Sequence, residues 1–188
     1  MSTPLVPRAF GDIRQLGYVV ADLDASVRAW SRQLGVGPWT VFRNVPLQAH
    51  FRGEASTPLI DVAMSYRGPM QIELIQQRND APSPYRAMIE NRRYGLHHTA
   101  YLSEHIENDV RRALAAGFGL ACDIRMPGGG RYAYLQSPAL GEDIYVELLE
   151  ATPQIVALYN SGMADAASWD GTGDPTVIDF SAITQTAT

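Results

Sequence analysis

At 188 residues, 46% hydrophobic and 19% charged, the chain is long enough to bury a core without staples, as one domain or as two small modules sharing a core. A net charge of −5 with dispersed arginines excludes the basic stripe that nucleic acid needs, and no apolar run approaches the roughly 18 residues that span a membrane. One cysteine, Cys122, excludes a disulfide framework and a Cys-based zinc site. The absence of lysine among 15 basic residues removes Schiff-base chemistry, and the lack of a charged-then-apolar leader makes a reducing, cytoplasmic location the expectation.

Residues 1–11 carry two prolines and no periodicity, so they read as an arm. Ile13 to Val20 is a predicted strand whose alternation puts Gln15, Gly17 and Val19 on one face. Asp22 or Asp24 then caps a predicted helix with Leu23, Val27, Trp30 and Leu34 on its apolar side and Gly35 as its stop. A strand is expected around Thr40 to Val45, and Leu59 to Tyr66 with Met70 to Gln76 reads as a hairpin around Arg67-Gly68-Pro69. Ser83-Pro84 predicts the cap of a short linking helix running to about Arg93.

The pattern then begins again. Leu96 to Leu102 is a predicted strand, Ile106 to Ala116 a helix stopped at Gly117, and three strands follow near Cys122 to Met126, Arg131 to Gln136 and Ile144 to Glu150, with turns at Pro127-Gly128-Gly129-Gly130 and Ser137-Pro138. Each copy is thus β-α-β-β-β. The expected organisation is an α+β fold of two tandem modules, residues 12–76 and 95–150, forming a cleft, with a helical linker at 77–94 and a C-terminal extension at 151–188. In that extension Pro153 to Tyr159 predicts a short helix, and the turn-rich Trp169 to Pro175 predicts a disordered end.

One offset, 83 residues, carries Gln15 onto His98, Leu23 onto Ile106 and Val27 onto Val110. Each copy also closes with a strand that holds an acid between apolar neighbours, Glu73 in the first and Glu147 in the second. A lone histidine or glutamate in a strand is usually structural or solvent-facing, but a one-residue slip would move each of these to the other face of an otherwise apolar strand. One imidazole, one amide oxygen and two carboxylates form an N/O donor set whose charge of −2 balances a divalent cation such as Zn, Ni, Co, Mn or Fe. On an octahedral ion two positions stay open for a small-molecule substrate with neighbouring oxygens. His50 and Glu54 are candidates for the border of the cleft. Tyr132, Tyr134 and Tyr145 are candidates for the wall of a pocket for an aromatic or apolar substrate, although aromatics at alternating strand positions are commonly sheet packing. Cys122 reads as a small core residue and His105 as an exposed residue near a helix start.

Gly-Leu-His-His-Thr-Ala-Tyr at 95–101, its helix, and Val-Glu-Leu-Leu-Glu at 146–150, with weaker counterparts at Ile13 to Val20 and Gln71 to Ile75, resemble the vicinal oxygen chelate superfamily. That superfamily includes glyoxalase I, methylmalonyl-CoA epimerase, extradiol dioxygenases and antibiotic-sequestering proteins. The resemblance covers about residues 12 to 150 and implies Gln15, Glu73, His98 and Glu147 as metal ligands, as in certain glyoxalase I enzymes, with Glu147 or Glu73 as the base. It implies that His97 faces away from the cleft, and that the chain is a homodimer. The expected activity is that of a metal-dependent isomerase, epimerase or lyase acting next to a carbonyl. The alternatives are an extradiol-type dioxygenase, which wants two histidines and a glutamate, and a non-catalytic binding protein, which often lacks the ligands.

Overall fold

The computed structural model describes residues 10–126, 129–141 and 143–184; most of the expected N-terminal arm and the Pro127-Gly128 part of the expected turn lie outside these. In chain order the elements are β1 (Gln15–Val19), α1 (Leu23–Leu34), β2 (Thr40–Pro46), β3 (Gln48–Phe51), β4 (Glu54–Ser56), β5 (Leu59–Arg67), β6 (Met70–Gln77) and α2 (Arg86–Glu90). There follow β7 (Gly95–Ser103), α3 (Ile106–Ala115), β8 (Gly119–Arg125), β9 (Arg131–Gln136), β10 (Tyr145–Glu150), α4 (Pro153–Ser168), β11 (Thr176–Asp179) and α5 (Phe180–Thr184). No described helix is long and apolar enough to cross a membrane.

The strands form one curled sheet in the order β11-β2-β5-β6-β1-β7-β10-β9-β8-β3-β4. Its two halves repeat a single pattern: β1 pairs in parallel with β6, which continues antiparallel to β5 and β2, and β7 pairs in parallel with β10, which continues to β9 and β8. The halves meet where β1 lies antiparallel to β7, with Gln15 opposite Ala100 and Gly17 opposite His98. The fold is α+β.

Alternation sorts each strand's side chains between two environments. On the outer face, Leu23 and Val27 of α1 pack with Ile72 and Leu74, and Ile106 and Val110 of α3 pack with Ala133 and Leu148. Burying such side chains contributes roughly 1.5–3 kcal/mol each, which is what holds each helix to its own half-sheet. The inner face carries the cluster of Val19, Val62, Ile75 and Tyr134, of which Val62 and Tyr134 line a central cavity.

Asp22 caps α1 by accepting from the Ala25 N–H at 2.8 Å, and Gly35 ends it at φ 62°. Leu34, expected on the apolar stripe, is exposed instead: the chain turns at Gly35, the Val36 N–H bonds the Trp30 carbonyl, and Val36 is buried in the place the stripe predicts for Leu34. The linking helix is shorter than expected, because the Ser83 hydroxyl accepts from the Tyr85 N–H and regular helix starts only at Arg86.

The hairpin β3–β4 has no counterpart among the expected elements. Its two-residue turn, Arg52-Gly53, has both φ values positive (52° and 86°), as a tight hairpin requires. Although it belongs to the first half in sequence, β3 pairs with β8 of the second half, bridging the two. The C-terminal expectations also need correction: the helix runs on to Ser168, and β11 adds in parallel to the β2 edge, while residues 185–188 of the expected disordered end lie outside the described residues.

Candidate functional site

Four central strands, β6-β1-β7-β10, contribute Glu73, Gln15, His98 and Glu147 to one cluster on the inner face. His98 Nε2 lies 3.0 Å from a Glu147 oxygen, 3.3 Å from a Glu73 oxygen and 3.3 Å from Gln15 Oε1. All four residues are nearly or fully buried. The ligand atoms of Glu73, His98 and Glu147 lie within 4.8 Å of one another.

The hydrogen-bond chain behind His98 decides which nitrogen faces this cluster. His97 Nε2 is 3.1 Å from the Pro84 carbonyl, which only accepts, so His97 carries its proton there and its Nδ1 is an acceptor. His97 Nδ1 is 3.0 Å from His98 Nδ1, so His98 Nδ1–H donates to it, and the neutral His98 ring turns a bare Nε2 lone pair toward three oxygens. Burial, reinforced by His98 beside it, takes His97 down to about 3, which keeps it neutral.

A lone pair facing oxygens calls for a positive charge between them. Without an ion that charge is a proton: burial pulls His98 down, but Glu147 and Glu73 outweigh it and raise the imidazole to about 9. Burial likewise pushes the Glu73 carboxyl up, with His98 opposing and Glu147 adding to the rise. A divalent ion satisfies the same demand. Adjacent ligand atoms on an ion with bonds of about 2.1 Å lie about 3.0 Å apart, close to the separations found around His98 Nε2. The four residues therefore fit a metal.

A second chain orients Gln15. The Tyr66 hydroxyl donates to the Leu158 carbonyl at 3.4 Å, Gln71 Nε2 donates to the Tyr66 oxygen at 2.5 Å, and Gln15 Nε2 donates to Gln71 Oε1 at 2.7 Å. Gln15 Oε1 is left to face the cluster. Burial, partly offset by the Gln71 contact, holds the Tyr66 phenol up at about 12, so it stays a donor.

Gly17 leaves room for the imidazole. A Cβ there would lie 1.9 Å from His98 Cε1, so His98 occupies the space a side chain at its cross-strand partner would need. His97, expected to face away from the cleft, does not line the cavity. The β1–β7 register shifts between Gly17 and Tyr18 and leaves His97 as the extra residue of a bulge, buried against Tyr85, Tyr134 and Tyr145 directly behind His98. Gly17, Tyr66, Gln71 and His97 are the contributors that residue types alone did not single out. For Gln71 a signal existed, since it shares strand parity with Glu73.

Of the other expected residues, Tyr132 and Tyr134 line the cavity with Glu73 and Glu147. Tyr145 lies behind the wall, its ring tilted 38° against that of His97 at 4.9 Å between centroids. His50 and Glu54 sit on the β3–β4 ribbon, both exposed and neither lining the cavity. Alternation turns Leu47, Ala49 and Phe51 inward there and leaves His50 outside. Cys122 is buried, with burial raising its thiol to about 12.

The cavity has a volume of about 90 Å³. Ile155, Leu158 and Tyr159 of α4 form part of its wall. The helix lies close on β5, where a Cβ at Gly162 would lie 2.0 Å from the Tyr66 ring.

This sheet, with paired modules and a polar cluster at their junction, matches known proteins. The sequence profile of the Glyoxalase/Bleomycin resistance protein/Dioxygenase superfamily matches residues 14–134, and the chain belongs to that superfamily. No curated protein matches the sequence. Among solved structures, a methylmalonyl-CoA epimerase from Mycobacterium tuberculosis is similar in fold with a TM-score of 0.55 at 19% identity, over 81% of this chain and 96% of that one. A hypothetical protein from Bacillus halodurans matches with a TM-score of 0.55 at 19% identity over 76% and 96%. A variant Streptomyces coelicolor methylmalonyl-CoA epimerase in complex with 2-nitronate-propionyl-CoA matches with a TM-score of 0.51 at 17% identity over 77% and 96%.

Proposed function

We propose that the protein is a divalent-metal-dependent isomerase, epimerase or lyase that removes a proton from the carbon next to a carbonyl of a small organic substrate. The observation that supports it most is the convergence of an imidazole lone pair, an amide oxygen and two carboxylates beside an otherwise apolar cavity. Gln15, Glu73, His98 and Glu147 would hold the ion. When bound, the ion supplies positive charge beside the substrate oxygen on which negative charge develops as the proton leaves.

Glu147 accepts that proton at a carboxylate oxygen and returns it to carbon. Glu73, which faces the same cavity from β6, is the second candidate for the role. The apolar walls keep water away from the carbanion-like state, and the chains ending on Pro84 and Leu158 keep His98 and Gln15 in place. A dioxygenase reading wants two imidazoles at the centre, but both His97 nitrogens are engaged elsewhere, one by His98 and one by the Pro84 carbonyl.

The test is deuterium exchange from D₂O into the carbon beside the carbonyl of 2-hydroxyacetophenone, followed by NMR with the protein loaded with Zn, Ni, Co, Mn or Fe(II). Glu147→Gln keeps an oxygen donor but no base at neutral pH, so exchange should fall on the order of 100- to 10,000-fold with the metal kept saturating. Exchange at the undiminished rate would move the role to Glu73. Absence of metal binding under every loading condition would remove the reading.

A further inference from the structure

The cavity states more about its ligand than the cluster alone does. Apart from Gln15, Gln71, Glu73 and Glu147, its wall is aliphatic, methionine or tyrosine, and among the described residues no arginine or histidine lines it. The chain has no lysine. Arg14, which touches the roof helix, stacks on the Tyr159 ring at 5.9 Å and contacts the Met163 sulfur, and it is not part of the lining.

The electrostatic balance points the same way. Two carboxylates against one divalent ion leave the cluster near neutral, so nothing in the wall offsets a further negative charge, and an unpaired anion taken into such a space loses hydration without compensation. The polar features away from the cluster are tyrosine hydroxyls. Those of Tyr85 and Tyr134 lie 3.1 Å apart and satisfy each other, whereas that of Tyr159 is buried with no hydrogen-bond partner among the described residues. A neutral oxygen would suit that hydroxyl.

We propose that the substrate is a small uncharged molecule with an apolar, ring-sized body, held between tyrosine and aliphatic walls under α4, with its carbonyl end at the cluster. It carries no phosphate, carboxylate or peptide handle inside the cavity. This rests on the reading of the cluster as a metal site that works next to a carbonyl. It separates the chain from the coenzyme A thioester named for its Streptomyces structural neighbour. Helix α4, which adds Ile155, Leu158 and Tyr159 to this wall, lies beyond the 14–134 stretch matched by the superfamily profile.

Calorimetric titration of two probes that share one skeleton, 2-hydroxyacetophenone and its 4-carboxylate, tests this with both metal-free and metal-loaded protein. The carboxylate sits at the end of the probe remote from the cluster, so any difference reports the wall. The neutral probe should bind more tightly by on the order of 100-fold. Leu158→Arg, at a partly exposed roof position, should recover most of the lost affinity for the carboxylate. Equal or tighter binding of the carboxylate by the unmodified protein overturns the proposal, as does failure of both probes to bind. Neutral-selective binding without metal uptake would instead leave this inference standing and remove the proposed reaction.

Discussion

The two halves of the site are built on one backbone plan and do different work. In the first half, β1 contributes Gln15 and gives up a side chain at Gly17; in the second, β7 contributes His98 and keeps Ala100 at the equivalent step. The imidazole needs the empty partner, so Gly17 and His98 form one unit although they lie on different repeats. The orienting chains differ as well. His98 is set by two groups, His97 and a carbonyl of the linker, and Gln15 by Gln71, Tyr66 and a carbonyl of α4. Duplication supplied the frame. Segments outside the repeat supply the atoms on which both orienting chains end.

The sharpest way to break this comparison is to remove the imidazole or its room. His98→Ala should cost metal affinity more than about 100-fold, and Gly17→Ala should approach the same loss, because the new Cβ would meet the ring and drive it from the cluster. Gln15→Ala should cost less, since a neutral amide oxygen is the weakest donor of the four. Competition titration with a fluorescent chelator measures all three. A Gly17→Ala protein that binds as tightly as the original would show that His98 does not depend on its partner strand.

Next in size is the linker-side chain. His97→Phe preserves the aromatic packing against Tyr85 and Tyr145 but removes the acceptor for His98 Nδ1–H, freeing the ring to carry its proton on Nε2. Metal affinity should fall about 10- to 100-fold. Ring-nitrogen NMR of the variant should show the altered tautomer. An unchanged tautomer and affinity would reduce His97 to a packing residue.

Much of this arrangement was legible because two periodicities agree. Strand alternation chose the face and the 83-residue repeat chose the partner, so Gln15 and His98 could be paired before any contact was known, and the helix after each was marked by Asp22 and Gly35 in the first copy and by Gly117 in the second. The parts that were not legible depend on register between strands. Nothing within Leu96 to Leu102 alone announces that His97 is a bulge, because the slip exists only relative to Tyr18. The strands β3 and β4, four and three residues long with mixed polarity, are too short for a period to show, though Arg52-Gly53 hints at their turn. Helix α4 runs past the expected Pro153 to Tyr159, and it gives Ile155, Leu158 and Tyr159 to the cavity wall.

The smallest expected effect tests the C-terminal chain, and its direction follows from hydrogen-bond polarity. The Leu158 carbonyl can only accept, so the Tyr66 hydroxyl must donate to it and present its oxygen to Gln71 Nε2, which in turn leaves Gln71 Oε1 for Gln15 Nε2. Tyr66→Phe removes this instruction while keeping the ring that packs edge-on against Tyr159. Both amides are then free to turn over, and for part of the time Gln15 would point an N–H at the place a cation should occupy. Only one of the four proposed ligands is disturbed, and the first contact of the chain is long at 3.4 Å, so the loss in metal affinity should be about 10-fold or less. A double variant settles whether the chain acts through Gln15: if it does, adding Tyr66→Phe to Gln15→Ala produces no further loss, since there is no amide left to orient. Additive losses would mean instead that Tyr66 matters for seating α4 over the cavity, independently of the ligand it faces through Gln71.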